Sequence, residues 1–355
     1  MSHIRGNWSE LHEDLLIIIA KKLITIEDFI RFGAVCRAWR SATLDKHQFP
    51  LFSKALFPWL MLAENVDEDY RAVFSPLENN ICTIKLPEAR GCQCWGSPFG
   101  WLVTHSLHQG LELHLLNPFS RSRIRLPSKV DFNVWNHKNP LQSMHKAMII
   151  SITEYDNAKK VMYLVFAIIG DTNNLVMARD GLDTWITIQN TKSIAIPNIQ
   201  DVIQFNGVFY TVDRYAWVDE FGKLDLVPVA KRRACPPNTN QGHSNLQKYL
   251  VEFDHELHMT VRKWSRDTYK TISIQVYKFD RRGWKKLETL GDNVVFVGRN
   301  TSFALKASEH PGCKPDCIYF TTDKEMGIFY METGNSDYLF QGLSSPSVWI
   351  MPRIK

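Results

Sequence analysis

At residues 204–210 the chain reads Gln204-Phe205-Asn206-Gly207-Val208-Phe209-Tyr210, with an apolar run on each side of a polar turn. The same arrangement recurs in Glu252-Phe253-Asp254-His255-Glu256-Leu257-His258. Each segment is typical of two strands joined by a turn. A tryptophan opens a further strand in Asp183-Thr184-Trp185-Ile186-Thr187-Ile188 and again in Arg282-Gly283-Trp284-Lys285-Lys286-Leu287. An inner hairpin and a Trp-bearing outer strand, recurring about every 40–50 residues, indicate the blades of a β-propeller.

Short alternating runs of this kind extend from about Phe57 towards the C-terminus, bounded by Gly, Pro, Asn and Asp. We count roughly two dozen candidate strands at the spacing of about 8–12 residues that is expected of an all-β fold. About 300 residues accommodate six or seven four-stranded blades. A β-sandwich, which needs far fewer strands, is the second choice. The sequence contains neither a Gly-Gly pair nor a Trp-Asp dipeptide, which argues against kelch and WD repeats.

The N-terminal 50 residues have a different, helical pattern. Leu11, Leu15, Ile19 and Leu23 are four apart and share one helix face. The intervening run 16–18 is also apolar, so this helix requires burial on two sides. A unit of about 40 residues cannot provide both, because domains of that size are marginally stable. One side is therefore expected to contact another protein or the rest of the chain.

Two further helical segments follow the first. Phe29 belongs to the apolar face of the second, and Val35, Cys36 and Trp39 form the apolar stripe of the third. Three small helices can also form a helix-turn-helix DNA-binding unit. That reading is disfavoured, since residues 1–50 hold seven Lys/Arg against six Asp/Glu and lack a basic stripe. A plain helical cap on the following domain is the other alternative.

The three helices resemble the F-box. The resemblance rests on Leu11, on Asp14-Leu15-Leu16, on Phe29, on the run Val35-Cys36-Arg37-Ala38-Trp39-Arg40 and on Asp45. The chain departs from the family at His12, where the family usually has proline. The resemblance implies that the helices bind a Skp-type adaptor. The apolar residues that we expect to contribute the contacts, some of which must instead form the small internal core, are Leu11, Leu15, Leu16, Ile19, Val35 and Trp39.

The β-rich remainder resembles the KIB-type β-propeller that follows the F-box in a large family of plant proteins. Matching segments occur in the correct order along the chain. They include Trp59-Leu60-Met61-Leu62, Gly96-Ser97-Pro98-Phe99-Gly100-Trp101-Leu102, Leu115-Leu116-Asn117-Pro118, Val276-Tyr277-Lys278-Phe279-Asp280 and Trp349-Ile350-Met351-Pro352. The glycines that precede Trp101 and Trp284 are expected to adopt positive φ at turns. The sequence therefore predicts an α plus all-β protein, with a three-helix F-box at residues 5–50 and a propeller of six or seven blades at residues 57–352.

Composition limits the classes of function. Of the 355 residues, 45% are hydrophobic and 22% charged, which is ordinary for a soluble globular protein. No apolar run approaches the ~20 residues of a membrane span, and no signal peptide is visible. Seven cysteines, irregularly spaced, favour a reducing compartment. We expect a protein of the nucleus, the cytoplasm or both, with no membrane or nucleic-acid partner.

Charge is unevenly distributed along the chain. The formal net charge is +5, and residues 247–290 hold ten Lys/Arg against six acids. A solvated surface is the ordinary explanation of such a stretch. A basic rim that attracts an acidic partner is the alternative.

Motifs for catalysis, phosphate binding and dinucleotide binding are absent from the sequence. The best metal candidate combines Cys92 and Cys94 with His105 and His108, at spacings that depart from those of zinc fingers. Core or loop positions are the simpler interpretation of these residues. We therefore predict no catalytic residue, no metal and no cofactor.

The resemblance implies the substrate-recognition subunit of an SCF-type cullin-RING ubiquitin ligase. The F-box would bind the adaptor and, through it, the cullin and the RING subunit, while the propeller would hold a protein substrate whose identity the sequence leaves open. The alternatives are a β-propeller enzyme and a non-degradative scaffold with an F-box-like helical cap.

Overall fold

A computed structural model describes most of the chain. The described residues are 8–23, 26–33, 35–43, 57–62, 69–106, 112–131, 140–155, 160–190, 198–221, 229–234, 245–280, 283–310, 312–322, 325–341 and 347–351. They form three short α-helices followed by 27 strands, with single 3₁₀ turns between strands at Pro87–Ala89, Pro140–Ser143 and Ala307–Glu309.

The helices lie at the N-terminal end. They are α1 (Glu13–Lys21), α2 (Ile26–Gly33) and α3 (Arg37–Ser41), preceded by a single 3₁₀ turn at Trp8–Glu10. Helix α1 starts after His12, whose side chain makes no capping hydrogen bond. Within the described residues, none of the helices has the length and apolar character needed to cross a bilayer. The helices alone do not show an F-box, which stays a prediction.

The strands are short and follow one another closely. In chain order they are β1 (Trp59–Met61), β2 (Tyr70–Ser75), β3 (Asn80–Lys85), β4 (Cys92–Trp95), β5 (Leu102–Ser106), β6 (Leu113–Leu116), β7 (Arg123–Arg125), β8 (Val130–Asp131), β9 (Met144–Tyr155), β10 (Lys160–Ile169), β11 (Asn174–Arg179), β12 (Trp185–Thr187), β13 (Gln189–Asn190) and β14 (Ile199–Phe205). They continue with β15 (Val208–Asp213), β16 (Val218–Phe221), β17 (Val229–Ala234), β18 (Leu246–Phe253), β19 (Glu256–Trp264), β20 (Thr271–Asp280), β21 (Gly283–Leu287), β22 (Asn293–Val297), β23 (Phe303–Lys306), β24 (Cys317–Thr321), β25 (Glu325–Tyr330), β26 (Ser336–Gln341) and β27 (Val348–Ile350).

The described strands form six sheets, which are the blades of a β-propeller. From the inner edge outward their orders are β27-β1-β2-β3 in blade 1, β4-β5-β6-β7 in blade 2, β9-β10-β11-β12-β8 in blade 3, β14-β15-β16-β17-β13 in blade 4, β18-β19-β20-β21 in blade 5 and β23-β22-β24-β25-β26 in blade 6. The predicted propeller is confirmed, with six blades. The β-sandwich alternative is wrong, because the strands divide among six small sheets rather than two large ones.

Contacts between the inner strands link the blades in sequence. Strand β27 contacts β4, and contacts continue from β4 to β9, β14, β18 and β23. The ring closes within blade 1, where the C-terminal strand β27 pairs antiparallel with β1. Six hydrophobic clusters fill the spaces between successive blades. Each blade thus buries apolar side chains on both of its faces, which explains the hydrophobic and aromatic content of the strands.

The two hairpins from which the fold was inferred are both present. In the β14–β15 hairpin the last pair before the turn is Phe205 with Val208. In the β18–β19 hairpin it is Phe253 with Glu256. Asn206 and Gly207, which connect β14 to β15, both have positive φ, at 50° and 75°. Two consecutive residues with positive φ match the right-handed twist of the flanking strands in a two-residue hairpin.

The helices pack against the propeller. Leu16, Ala20, Phe29 and Phe32 belong to the same buried cluster as residues of blades 1 and 2, among them Met61, which lies on β1. This contact buries one of the two apolar sides of helix α1. The opposite side of α1 remains available to solvent or to a partner.

Candidate functional site

The six predicted adaptor contacts differ in burial. Leu15 and Val35 are exposed, at 49% and 57%. Leu11, Ile19 and Trp39 are partly buried and pack against the cluster between blades 1 and 2. Leu16 is completely buried within that cluster. Its side chain therefore supports the core of the isolated chain, and the prediction that it contacts an adaptor is not tested by this placement.

Helix α1 has two apolar stripes. The inner stripe contains Leu16 and Ala20, which are both fully buried. The outer stripe consists of Leu15 and Ile18, which are 49% and 52% exposed. Residues three apart lie on one helix face, so the outer stripe presents two large apolar side chains together. Ile18 was not among the predicted contacts, although its spacing from Leu15 could have indicated it.

Trp39 connects the helical elements. Its indole Nε1 donates a hydrogen bond to the Trp8 carbonyl oxygen at 2.9 Å, and its ring lies 4.3 Å from that of Phe32. The indole thereby ties α3 both to the N-terminal 3₁₀ turn and to α2. An adaptor contact through Trp39 would use only the part of the ring that stays accessible.

The predicted metal candidate is not assembled. Cys94 is opposite Thr104 in the β4–β5 pair, whereas His105 is opposite Gln93. Because neighbouring residues of a strand point to opposite faces, His105 points away from Cys92 and Cys94; His108 lies outside the described residues. Cys94 Sγ instead accepts a hydrogen bond from the buried Arg71. Among the described residues, no group of three or more His, Cys, Asp or Glu side chains is placed to bind a metal ion.

A cavity of about 400 Å³ lies where the inner strands β9, β14 and β18 begin. We call it the axial cavity. Its lining is polar and basic and comes from blades 3 to 6, with cationic or titratable groups (His145, Lys146, Arg262, Arg299), amides (Asn173, Gln200, Gln247), hydroxyls (Thr321, Thr322) and aromatic rings (Tyr249, Trp264). The lining also includes Ile168, Ile199 and Gly298, and none of these described residues carries a carboxylate.

A buried ion pair underlies one wall of the axial cavity. Lys146 Nζ lies 3.0 Å from Asp201 Oδ1, and both side chains are almost fully buried. Asp201 also accepts hydrogen bonds from the backbone N–H groups of Val202 and Leu250, each at 2.9 Å. Burial raises the pKa of Asp201, while Lys146 and the two N–H groups oppose that rise. Since these residues belong to blades 3, 4 and 5, Asp201 joins three blades near the axis.

A second buried pair joins blades 5 and 6. Arg262 Nη2 donates to Glu325 Oε1 at 2.8 Å, and Arg262 Nε donates to Thr271 Oγ1 at 2.7 Å. Thr271 donates to the same Glu325 oxygen through its backbone N–H and its hydroxyl, at 3.0 and 2.6 Å. The guanidinium also lies 5.4 Å from the centre of the Trp264 ring. Arg262 is thus held rigidly in the wall of the cavity.

The arrangement is suited to binding. Asp201 and Glu325 are each engaged by a cation and by backbone N–H groups, which leaves neither poised as a general base. The lining side chains offer positive charge, amide groups and two aromatic rings. Sequence reasoning missed this site, because its residues are single positions scattered from 145 to 322. The basic stretch at residues 247–290 was the one signal that pointed towards it.

Comparison with known proteins identifies the family. The model of the KIB1-4 beta-propeller family matches residues 73–334, well over half of the chain. The chain belongs to the KIB1-4 β-propeller family. The match covers most of the strands that form the six blades, and the resemblance to KIB-type propellers drawn from the sequence is confirmed.

Relatives of this KIB1-4 propeller are F-box proteins of Arabidopsis thaliana. "Probable F-box protein At1g65740" is 26% identical, over 93% of this chain and 93% of its own length. "F-box protein At2g26160" is 23% identical, over 92% and 99%. Among solved structures, the N-terminal domain of Nup159 aligns with 79% of this chain and 89% of its own at 8% identity, with a TM-score of 0.34. That likeness is too low to carry an argument.

Proposed function

We propose that this KIB1-4 propeller is the substrate-recognition subunit of an SCF-type cullin-RING ubiquitin ligase. Its N-terminal helices would bind a Skp-type adaptor, which joins the cullin and the RING subunit, and its propeller would hold a protein substrate. The names of the Arabidopsis relatives, which align along almost the whole chain, support an F-box protein. The observation that carries the proposal is the outer stripe of α1, Leu15 and Ile18, left exposed while the inner stripe packs on the propeller.

Two exposed apolar side chains on one helix face are suited to a protein interface. Burial of apolar surface is the dominant favourable term in most protein–protein association. The helices are also attached to blades 1 and 2 through the buried cluster that contains Leu16 and Met61. A rigid attachment would fix the propeller in a defined orientation relative to the adaptor.

The mechanism would be proximity. A bound substrate would be kept near the ubiquitin-conjugating enzyme, which raises the effective concentration of its acceptor lysines. This chain would carry out no bond chemistry itself. It would act in the nucleus, the cytoplasm or both.

Adaptor binding by purified full-length protein tests the proposal. Leu15→Ala combined with Ile18→Ala is expected to weaken binding of a plant Skp-type adaptor by at least about tenfold. The two substitutions remove apolar contacts from the interface, and a loss of about 1.4 kcal/mol of binding free energy corresponds to that factor. Isothermal titration calorimetry with the wild-type protein and the double variant measures the difference.

The matched control changes two other exposed apolar residues. Met162 and Ile272, on β10 and β20, are 48% and 53% exposed. Met162→Ala combined with Ile272→Ala is expected to leave adaptor binding unchanged. The proposal fails if wild-type protein does not bind the adaptor, or if the folded helix variant binds as tightly as wild type.

A further inference from the structure

The axial cavity has the size and the fixed walls of a ligand-binding site. Its volume of about 400 Å³ lies within the ~300–1,000 Å³ range of ligand-binding pockets. Four consecutive blades line it, so no single blade determines its shape. The two buried ion pairs, Lys146–Asp201 and Arg262–Glu325, hold its walls in place.

The charges of these ion pairs are arranged asymmetrically. Lys146 and Arg262 line the cavity, whereas their partners Asp201 and Glu325 lie outside the lining. Arg299 adds a third cation to the lining. A cleft lined by one sign of charge focuses the field and attracts ligands of the opposite sign. The positive ends of both pairs thus border the space that a ligand would occupy.

The turn between β19 and β20 carries further cations. The turn follows Trp264, which lines the cavity, and carries the exposed Arg266 and Lys270. Its one carboxylate is Asp267, and Asp171 lies on the turn before the lining residue Asn173. With Asp201 and Glu325 behind the lining included, these described residues comprise five Lys or Arg and four carboxylates, which leaves a small positive excess.

One hydroxyl of the lining, that of Thr321, is deeply buried. The buried Thr321 hydroxyl has no hydrogen-bond partner among the described residues. Buried polar groups of native proteins are nearly always hydrogen-bonded to protein, water or ligand. Gly298 borders this hydroxyl so closely that a Cβ there would lie 2.1 Å from Oγ1. Glycine at position 298 thus lets the backbone pack directly against the Thr321 hydroxyl in this wall of the cavity.

We propose that the axial cavity is the docking site for an acidic segment of a protein substrate. Glu or Asp side chains of that segment enter beside Arg299 and Gln247, while Arg266 and Lys270 attract the flanking acidic residues. Trp264 and Tyr249 supply apolar contact for the aliphatic part of the segment. That the segment belongs to a ligase substrate rests on the proposed function, whereas its binding chemistry rests on the cavity alone.

Binding of a fluorescein-labelled tetraglutamate peptide with blocked ends, followed by fluorescence anisotropy with the full-length protein, tests the proposal. Saturable binding is expected, with none of tetraglutamine. Arg266→Ala combined with Arg299→Ala is expected to weaken tetraglutamate binding about tenfold, which corresponds to about 1.4 kcal/mol. Gln247→Leu, which changes the lining without changing its charge, is expected to weaken binding about threefold.

The control variant removes the same charge elsewhere. Lys285 and Lys286 are exposed on the outer strand β21 of blade 5, and Lys285→Ala combined with Lys286→Ala is expected to leave binding within about twofold of wild type. Equal losses in the two double variants, with no effect of Gln247→Leu, would mean diffuse attraction and overturn the proposal. So would the absence of tetraglutamate binding, or binding of free glutarate alone, which would indicate a small organic acid as ligand. Since no adaptor is present, failure here is distinct from failure of adaptor binding.

Discussion

Neighbouring residues of the first helix have opposite environments. Leu15 is half exposed and Leu16 is fully buried, although both are leucines in one apolar run. In an α-helix, successive residues point about 100° apart, so one faces solvent while the next enters the cluster between blades 1 and 2. The same chemical type thus serves two purposes at adjacent positions.

Alanine substitution should separate these two leucines. Leu16→Ala is expected to destabilise the packed helices by about 2–5 kcal/mol, because it leaves a cavity in the core. Leu15→Ala, at an exposed position, is expected to change stability by about 0.5 kcal/mol or less. Hydrogen–deuterium exchange within Glu13–Lys21, together with urea denaturation, measures both effects. Equal effects of the two substitutions would contradict this assignment of the stripes.

The stability of the protein is expected to depend on pH through His258. It is buried on β19 with its ring stacked on that of Phe253. Burial lowers its pKa from 6.5 to about 4. Between these values the unfolded chain binds more protons than the folded one, so the contribution of His258 to stability is present above about pH 6.5 and is lost as the pH falls towards 4.

The stability of the wild-type protein is therefore expected to fall more between pH 6.5 and 4 than that of His258→Gln. The difference should be on the order of 1–3 kcal/mol. Chemical denaturation over this range measures it. His255→Gln, at the exposed turn of the same hairpin, is the control for loss of a histidine. Parallel profiles for wild type and His258→Gln would refute the assignment.

At the scale of elements, the turn between β4 and β5 of blade 2 is explained by its contact with blade 1. The segment between β4 and β5 contains Gly96, Ser97, Gly100 and Trp101. Ser97 Oγ donates to the Trp101 carbonyl oxygen at 2.8 Å, and Gly100 has a φ of 78°. The Ser97 carbonyl oxygen accepts a hydrogen bond from Met351, just after β27. The turn of blade 2 therefore supports the strand that closes the ring.

Gly96 is expected to be irreplaceable in this contact. A Cβ at this position would lie 1.9 Å from the backbone oxygen of Trp349 on β27, so the closing strand would have to move. Gly96→Ala should destabilise the protein by about 1–3 kcal/mol, the usual effect of overpacking. Gly334→Ala, where the added Cβ meets open space but φ is 68°, is the control. Thermal unfolding that ranks Gly334→Ala as the more damaging change would contradict this explanation.

At the scale of the whole molecule, the propeller separates two candidate binding sites. The helices pack on blades 1 and 2, whereas blades 3 to 6 line the axial cavity. Closure of the ring by β27 and β1 makes the positions of these two regions interdependent. A receptor that joins an adaptor to a substrate requires this kind of fixed spacing, because proximity is effective only when geometry is maintained.

The sequence alone determined the class of fold, because hairpins such as 204–210 and the Trp-bearing outer strands carry local signals of alternation and turn. It also indicated an apolar first helix with more hydrophobic surface than it can bury by itself. The number of blades, the closure of the ring by β27 and the inward position of Leu16 were decided by tertiary structure, since each depends on residues far apart in the chain. The axial cavity belongs to this second group, because Lys146, Arg262 and Arg299 acquire a common surface only when four blades surround the axis.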